Sequence, residues 1–127
     1  GIGTLLFPLS LLLAFVISFC FDYFIGILAF YTESVWGLST TKEIIILALS
    51  GALIPLQFFP AKLQSILLLL PFQTIYHTPL MMLTKPDQDP QIFVSMLIVQ
   101  VVWAVVLYAL TRLFFEQAVK VLRIAGG

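Results

Sequence analysis

The chain has 127 residues, of which 61% are hydrophobic and 9% charged, against roughly 25% charged in an ordinary soluble domain. A domain this small has too much surface for its volume to hide so many apolar side chains, so the bilayer must solvate most of them and a water-soluble core is not expected. Six Lys and Arg balance six Asp and Glu, which leaves no basic surface for nucleic acid and no acidic tail for a basic partner.

Residues 2–31 carry a single charge, Asp22, and at about 1.5 Å rise per residue they exceed the roughly 30 Å hydrocarbon core. They predict a first transmembrane helix. Within it Ser10, Ala14, Ser18, Asp22 and Gly26 recur every four residues, a ridge of small or polar groups expected to face protein. Residues 32–43 are aromatic, polar and charged and read as a loop. Tyr31 and Trp36 suit an interface, and Thr40 with Glu43 forms a capping box that opens the next helix. That helix runs through "IIILALSGALI" and should fail at Pro55, after about 14 residues, which is short for a span.

"FFPAKLQSILLLLPF" reads as a second short helix with Pro60 in its first turn and a stop near Pro71. "QTIYHTPLMML" follows, with Gln73, Thr74, Tyr76, His77 and Thr78 ahead of Pro79. Lipid would not tolerate that polar density on an exposed face, so the piece should line a cavity or lie at the interface. "KPDQDP" is a tight loop in which Asp89 caps, and Pro90 opens, a last helix running to about Arg123. At on the order of 50 Å it must project beyond the bilayer. Arg112, Glu116 and Lys120 form an ion-pair ladder near its end, and Gln100, Ala104 and Tyr108 extend the same ridge into the membrane.

Basic residues favour a cytoplasmic C-terminus, with Arg112, Lys120 and Arg123 at one end of the last span and Lys85 beside Asp87 and Asp89 at the other. If the pieces between residues 41 and 83 cross once, the loop holding Lys42 is also cytoplasmic. If they cross twice, that loop and the N-terminus exchange sides.

Several side chains carry two readings. Asp22 either lines a water-filled path, as an intramembrane carboxylate often does, or sits near the headgroups, paired with Arg112 or hydrated. His77 beside Tyr76 is a proton relay or ligand contact on one reading and an interfacial hydrogen-bonder on the other. Phe58, Phe59 and Phe72 either meet a hydrophobic substrate or anchor the interface. The ladder is a solvated helix end or a docking point for a cytoplasmic partner. Cys20 has no intrachain disulfide partner, and His77 cannot complete a zinc site alone, so metal chemistry is not expected. No phosphate-binding loop, serine nucleophile motif or HExxH occurs, so no catalytic constellation is visible.

At residues 50–83, "SGALIPLQFFPAKLQSILLLLPFQTIYHTPLMML" resembles the penultimate span and outer hairpin of type-2 ABC transporter permeases: a small-Gly pair, two prolines, a short apolar helix, then Pro-Phe. "VQVVWAVVLYALTRLFFEQAVKVLRIAGG" is similar to the last span and Gly-Gly ending of their daunorubicin or viologen exporter subgroup. "AFYTES" is similar to that subgroup's Phe-Trp segment, with Tyr31 in place of the tryptophan. The likeness covers residues 29–127, and the first helix matches only as an apolar span.

The resemblance implies an all-α membrane protein with about three transmembrane helices and a Pro-broken, re-entrant helical hairpin in the outer leaflet between the last two. The whole of 1–127 would be one transmembrane domain, the C-terminal half of a six-span permease. Its parts are a helix at 2–31, a cytoplasmic loop at 32–43, a broken helix plus hairpin at 44–83 and a last helix at 90–123. Such a chain is not an enzyme. It would sit in the cell membrane, partnered by a cytoplasmic ATP-binding cassette subunit, which binds ATP and Mg, and by a second permease subunit as a homo- or heterodimer. The organism would be bacterial. Asp22, Gln57, Phe58, Phe59, Pro60, Pro71, Phe72, Gln73, Tyr76 and His77 are candidates for a substrate pathway or outer gate. Glu33, Trp36, Thr40, Lys42 and Glu43 are candidates for the ATPase contact. The function implied is export of a drug, lipid, peptide or similar amphipathic molecule. The alternative is a structural or assembly protein that only packs helices.

Overall fold

The computed structural model describes residues 1–32, 35–52 and 54–126; Glu33, Ser34, Leu53 and Gly127 lie outside the described residues. Among the described residues the fold is all-helical: α1 (Ile2–Thr32), α2 (Val35–Leu49), a short 3-10 turn (Leu56–Phe58), α3 (Ala61–Leu69), α4 (Gln73–Thr84) and α5 (Pro90–Gly126). Two of these helices, α1 and α5, are long and apolar enough to cross a membrane, and α3 with α4 makes a pair bent by 102°.

α1 and α5 pack in parallel and in constant register. Ser10 meets Gln100, Phe24 meets Phe114, and the Cα of Gly3 lies against the Phe93 ring, each pair ninety positions apart. Gly3, Ser10, Ala14 and Ile17 are buried on α1, and Phe93, Gln100, Ala104 and Thr111 on α5, in steps of three, four and seven that keep one seam facing the partner helix. The four-residue ridges expected from the sequence therefore hold for only one step each, Ser10 to Ala14 and Gln100 to Ala104. A step of four turns about 40° past a full revolution, so each ridge drifts off the seam. Ile17 takes over from Ser18, Asp22 is exposed, and Thr111 replaces Tyr108, which is 57% exposed.

α2 begins at Val35, five residues before the expected capping box, and Thr40 lies inside it. The Thr41 hydroxyl donates to the Gly37 carbonyl one turn back. A helix satisfies its own backbone as soon as the chain has reversed, whereas a longer loop beside a bilayer would leave those groups to water. α2 runs back along α1, with Lys42 reaching Asp22. It ends at Leu49 rather than at Pro55. The Ser50 N–H closes the last turn on Ile46, and Gly51 takes φ +88°, the left-handed conformation that stops a helix and that glycine adopts without a Cβ penalty. Pro55 precedes the 3-10 turn, Pro60 caps α3 from just outside it, and Pro71 lies buried between α3 and α4.

α4 runs antiparallel to α1 and α5. Its Thr74 carbonyl accepts from Gln100 in the middle of the bundle, while at its far end the Gly3 N–H donates to Pro86. The stretch expected as one crossing followed by a hairpin is thus divided differently. α2 returns part of the way, the 3-10 turn and α3 make an excursion, and α4 completes the return inside the bundle. The last turn signal is as expected: the Asp89 carboxylate accepts from the Gln91 N–H, with Pro90 opening α5.

Candidate functional site

A helix that stops among apolar side chains leaves its last carbonyls without intrahelical donors, and in a membrane no water is at hand to replace them. α3 stops in that way, because Pro71 cannot donate and forces Leu70 into an extended conformation (φ −88°, ψ 159°). Three successive carbonyls are then held from three sources. Leu67 accepts from the Leu70 N–H at 3.2 Å, Leu68 from the Gln73 amide at 2.9 Å, and Leu69 from the Trp103 indole of α5 at 2.8 Å. The Pro71 carbonyl accepts both the backbone N–H and the hydroxyl of Thr74.

A second layer fixes the donors. The Thr78 hydroxyl donates to the Gln73 side-chain oxygen at 2.6 Å, which sets that amide's orientation. Gln100 knots three helices: it accepts from the Ser10 hydroxyl at 2.9 Å and donates to the carbonyls of Ser10 and Thr74 at 3.2 and 2.8 Å. Ser10, Gln73, Thr74, Thr78 and Gln100 are all buried, and among the described residues no buried side-chain nitrogen or oxygen lacks a partner. The cluster contains amides and hydroxyls only. It can hold backbone and reorganise, but it offers no acid, base or nucleophile. Beside it an open groove of about 360 Å³ is lined by Leu68, Leu69, Gln73, Asp89, Ser95 and Met96 among others.

The residues predicted from sequence separate in space. Pro71, Phe72 and Gln73 are at the break, and the Phe72 ring stacks on Phe21 at 5.8 Å. His77 lies half-buried against Gly51, where the chain leaves α2. Gln57, Phe58, Pro60 and Tyr76 face outward, Phe58 being 77% exposed, and Phe59 is half-buried. Asp22, next to Phe21 in α1, makes its contacts with α2 rather than with the break. One reading of the sequence paired it with Arg112; it pairs with Lys42 at 2.5 Å, and Lys42 also reaches Glu43 at 2.5 Å. Arg112 instead faces Glu116 at 3.8 Å, one rung of the expected ladder. Of the other candidates for the ATPase contact, Trp36 is 81% exposed, Thr40 is half-buried and Glu33 falls outside the described residues.

Sequence reasoning missed Trp103 and Gln100 as members of this site, and named Thr74 and Thr78 only as part of the polar run after Pro71. The available signal was an indole and a carboxamide in the middle of a span, where tryptophan has no interface to anchor and an amide needs a partner.

The family model described as an ABC-2 family transporter protein matches residues 1–126. The chain belongs to the ABC-2 transporter family. The match includes α1, which the sequence likeness treated only as an apolar span. No curated protein and no solved structure matches the chain. An ABC-2 family protein is an integral membrane permease component of an ABC transporter and is not itself catalytic, and the family implies association with an ATP-binding cassette subunit. In this ABC-2 protein the cluster at the α3–α4 break is neutral, and its buried side-chain polar atoms all have partners.

Proposed function

We propose that this permease works in an exporter, with the α3–α4 break as its gate. The observation that carries the reading is the helix break itself, with three carbonyls of α3 held by side chains or by a single backbone turn. Irregular backbone at membrane depth is tolerated where protein or a water-filled path satisfies it, and interrupted helices commonly mark transport pathways.

Depth follows from the charges. Lys85, Asp87 and Asp89 lie at the end marked by the contact of Gly3 with Pro86, while Asp22, Lys42 and Arg112 share one level. From Gly3 to Asp22 the α1 axis covers about 29 Å, one hydrocarbon core. The end that holds Lys42, Arg112, Lys120 and Arg123 is cytoplasmic by the positive-inside rule. Asp22 then lies at the headgroups, and the break, held by Gln100 and Trp103, lies near mid-depth. The turn from α1 into α2, with Trp36, Thr40, Lys42 and Glu43 after it, faces the ATP-binding subunit. ATP and Mg are bound there. A second permease subunit completes the pathway, and the substrate is amphipathic, since the groove beside the break is lined by leucines on one side and by Asp89 and Ser95 on the other. The similarity of residues 99–127 to daunorubicin or viologen exporters supports the direction of transport.

Co-purification with an ATP-binding cassette subunit and vanadate-sensitive export from vesicles test this. Export that survives removal of the ATPase, or a stable complex with no ATPase in it, would overturn it and leave a packing or assembly role.

A further inference from the structure

Aromatic and polar side chains of both helices meet where the seam between α1 and α5 opens, at the level of Asp22. The cradle there is lined by Phe19, Cys20 and Tyr23 of α1 and by Tyr108, Thr111 and Arg112 of α5. An aromatic ladder leads from it toward the middle of the bilayer. Tyr23 stacks on Phe19 at 6.1 Å and Phe19 on Phe15 at 6.5 Å, and both phenylalanines are exposed.

The two cations of this belt differ. Lys42 is enclosed between Asp22 and Glu43, with its side chain 11% exposed. Arg112 is 61% exposed and, among the described residues, meets one carboxylate, Glu116, at 3.8 Å, beyond ordinary hydrogen-bond length. A guanidinium has five donors in a fork that fits a phosphate, so most of its capacity is open. Glu116 stands one turn farther from the membrane core, about 6 Å along the axis.

A cation nearer the core, a carboxylate one turn farther out and an aromatic track leading inward match the order of groups in one ligand. We propose that the cradle binds an aminophospholipid of the ethanolamine type from the cytoplasmic leaflet. The phosphate lies on Arg112, the primary ammonium donates to Glu116 in place of the long ion pair, and an acyl chain lies along Phe19 and Phe15. A wholly anionic headgroup would leave Glu116 facing a second negative charge, and a choline headgroup has no N–H to donate. The site rests on the membrane depth assigned above and not on export.

The test is lipid retention by the purified transporter complex in nanodiscs of phosphatidylethanolamine, phosphatidylcholine or phosphatidylglycerol, read by native mass spectrometry without substrate or nucleotide. The wild type should retain ethanolamine lipid over both others. Arg112→Gln should lower its retention about fivefold, the effect of one cation at a headgroup surface. Arg112→Lys should keep part of it. Glu116→Gln should abolish the preference for ethanolamine over choline lipid. Lys120→Gln, two turns along α5 from Arg112, should change nothing. Preferential retention of phosphatidylglycerol, equal loss in Lys120→Gln, or no change in Arg112→Gln overturns the proposal. Since no transport is measured, its failure leaves the export reading standing.

Discussion

Gln100 shows how one side chain can hold a membrane bundle together. Its amide uses both its oxygen and its nitrogen, across α1, α4 and α5, where hydrocarbon offers no alternative partner. Hydrogen bonds between membrane helices average about 0.6 kcal/mol each, so Gln100→Leu should cost about 2 kcal/mol for its three bonds. Reversible SDS unfolding in mixed micelles measures this, and an unchanged midpoint would mean that α4 is held by apolar packing alone. Asp22 behaves differently. Its pair with Lys42 is exposed on the carboxylate side, and such pairs contribute at most about 1 kcal/mol. Asp22→Asn should therefore insert and export normally, and a loss of transport at normal expression would restore the pathway reading. The presence of an ionisable group in α1 was legible in the sequence, but its partner was not. Arg112 is on the helix that shares the seam, and Lys42 is reached only because α2 runs back along α1.

At the scale of elements, local signals read well and non-local ones poorly. Asp89 followed by Pro90 is a complete instruction for a helix start and is used as such. The end of α2 was assigned to Pro55, the stronger helix breaker, but Gly51 stops the helix first by adopting a positive φ. A glycine in an apolar run gives no sign of that choice until its surroundings, here Leu56 and His77, fix it. The polar density of α4 was read as a cavity lining or an interfacial piece, whereas Gln73, Thr74 and Thr78 are buried against protein. The clamp itself was illegible, since Leu68, Gln73, Leu69 and Trp103 belong to three different elements and meet only in the folded bundle. Pro60→Ala and Pro71→Ala would each restore a donor and favour longer helices in place of the bent pair. Both variants should reach the membrane in normal amount and lose export, Pro71→Ala the more severely, because Pro71 is buried at the bend. Export unchanged in well-expressed variants would remove the gate.

At the scale of the whole molecule, the parallel pair of α1 and α5 is a fixed frame. Its constant register is marked by the Ser10–Gln100 bond and the edge contact of Phe24 with Phe114. Composition alone fixed the solvent of this frame, since two apolar helices with so little of their surface buried against protein need lipid around them. What composition could not supply was the division of labour between a rigid pair and a broken return path. α3 is tied to the frame by the Trp103 bond and through Gln73, so it can be released without unpacking the pair. The most direct measurement of that division is a pulsed electron spin distance between labels at Ser65→Cys on α3 and Ser95→Cys on α5. It is made in a Cys20→Ser background, in the complex with its ATPase and diluted with unlabelled chain. The distribution should shift between the nucleotide-free and ATP–vanadate states, and Trp103→Phe should produce the shifted form without nucleotide, while Leu9→Cys with Val102→Cys stays constant. A distance between α3 and α5 that is the same in every state, or a reference pair that moves with it, would contradict a gate at the break.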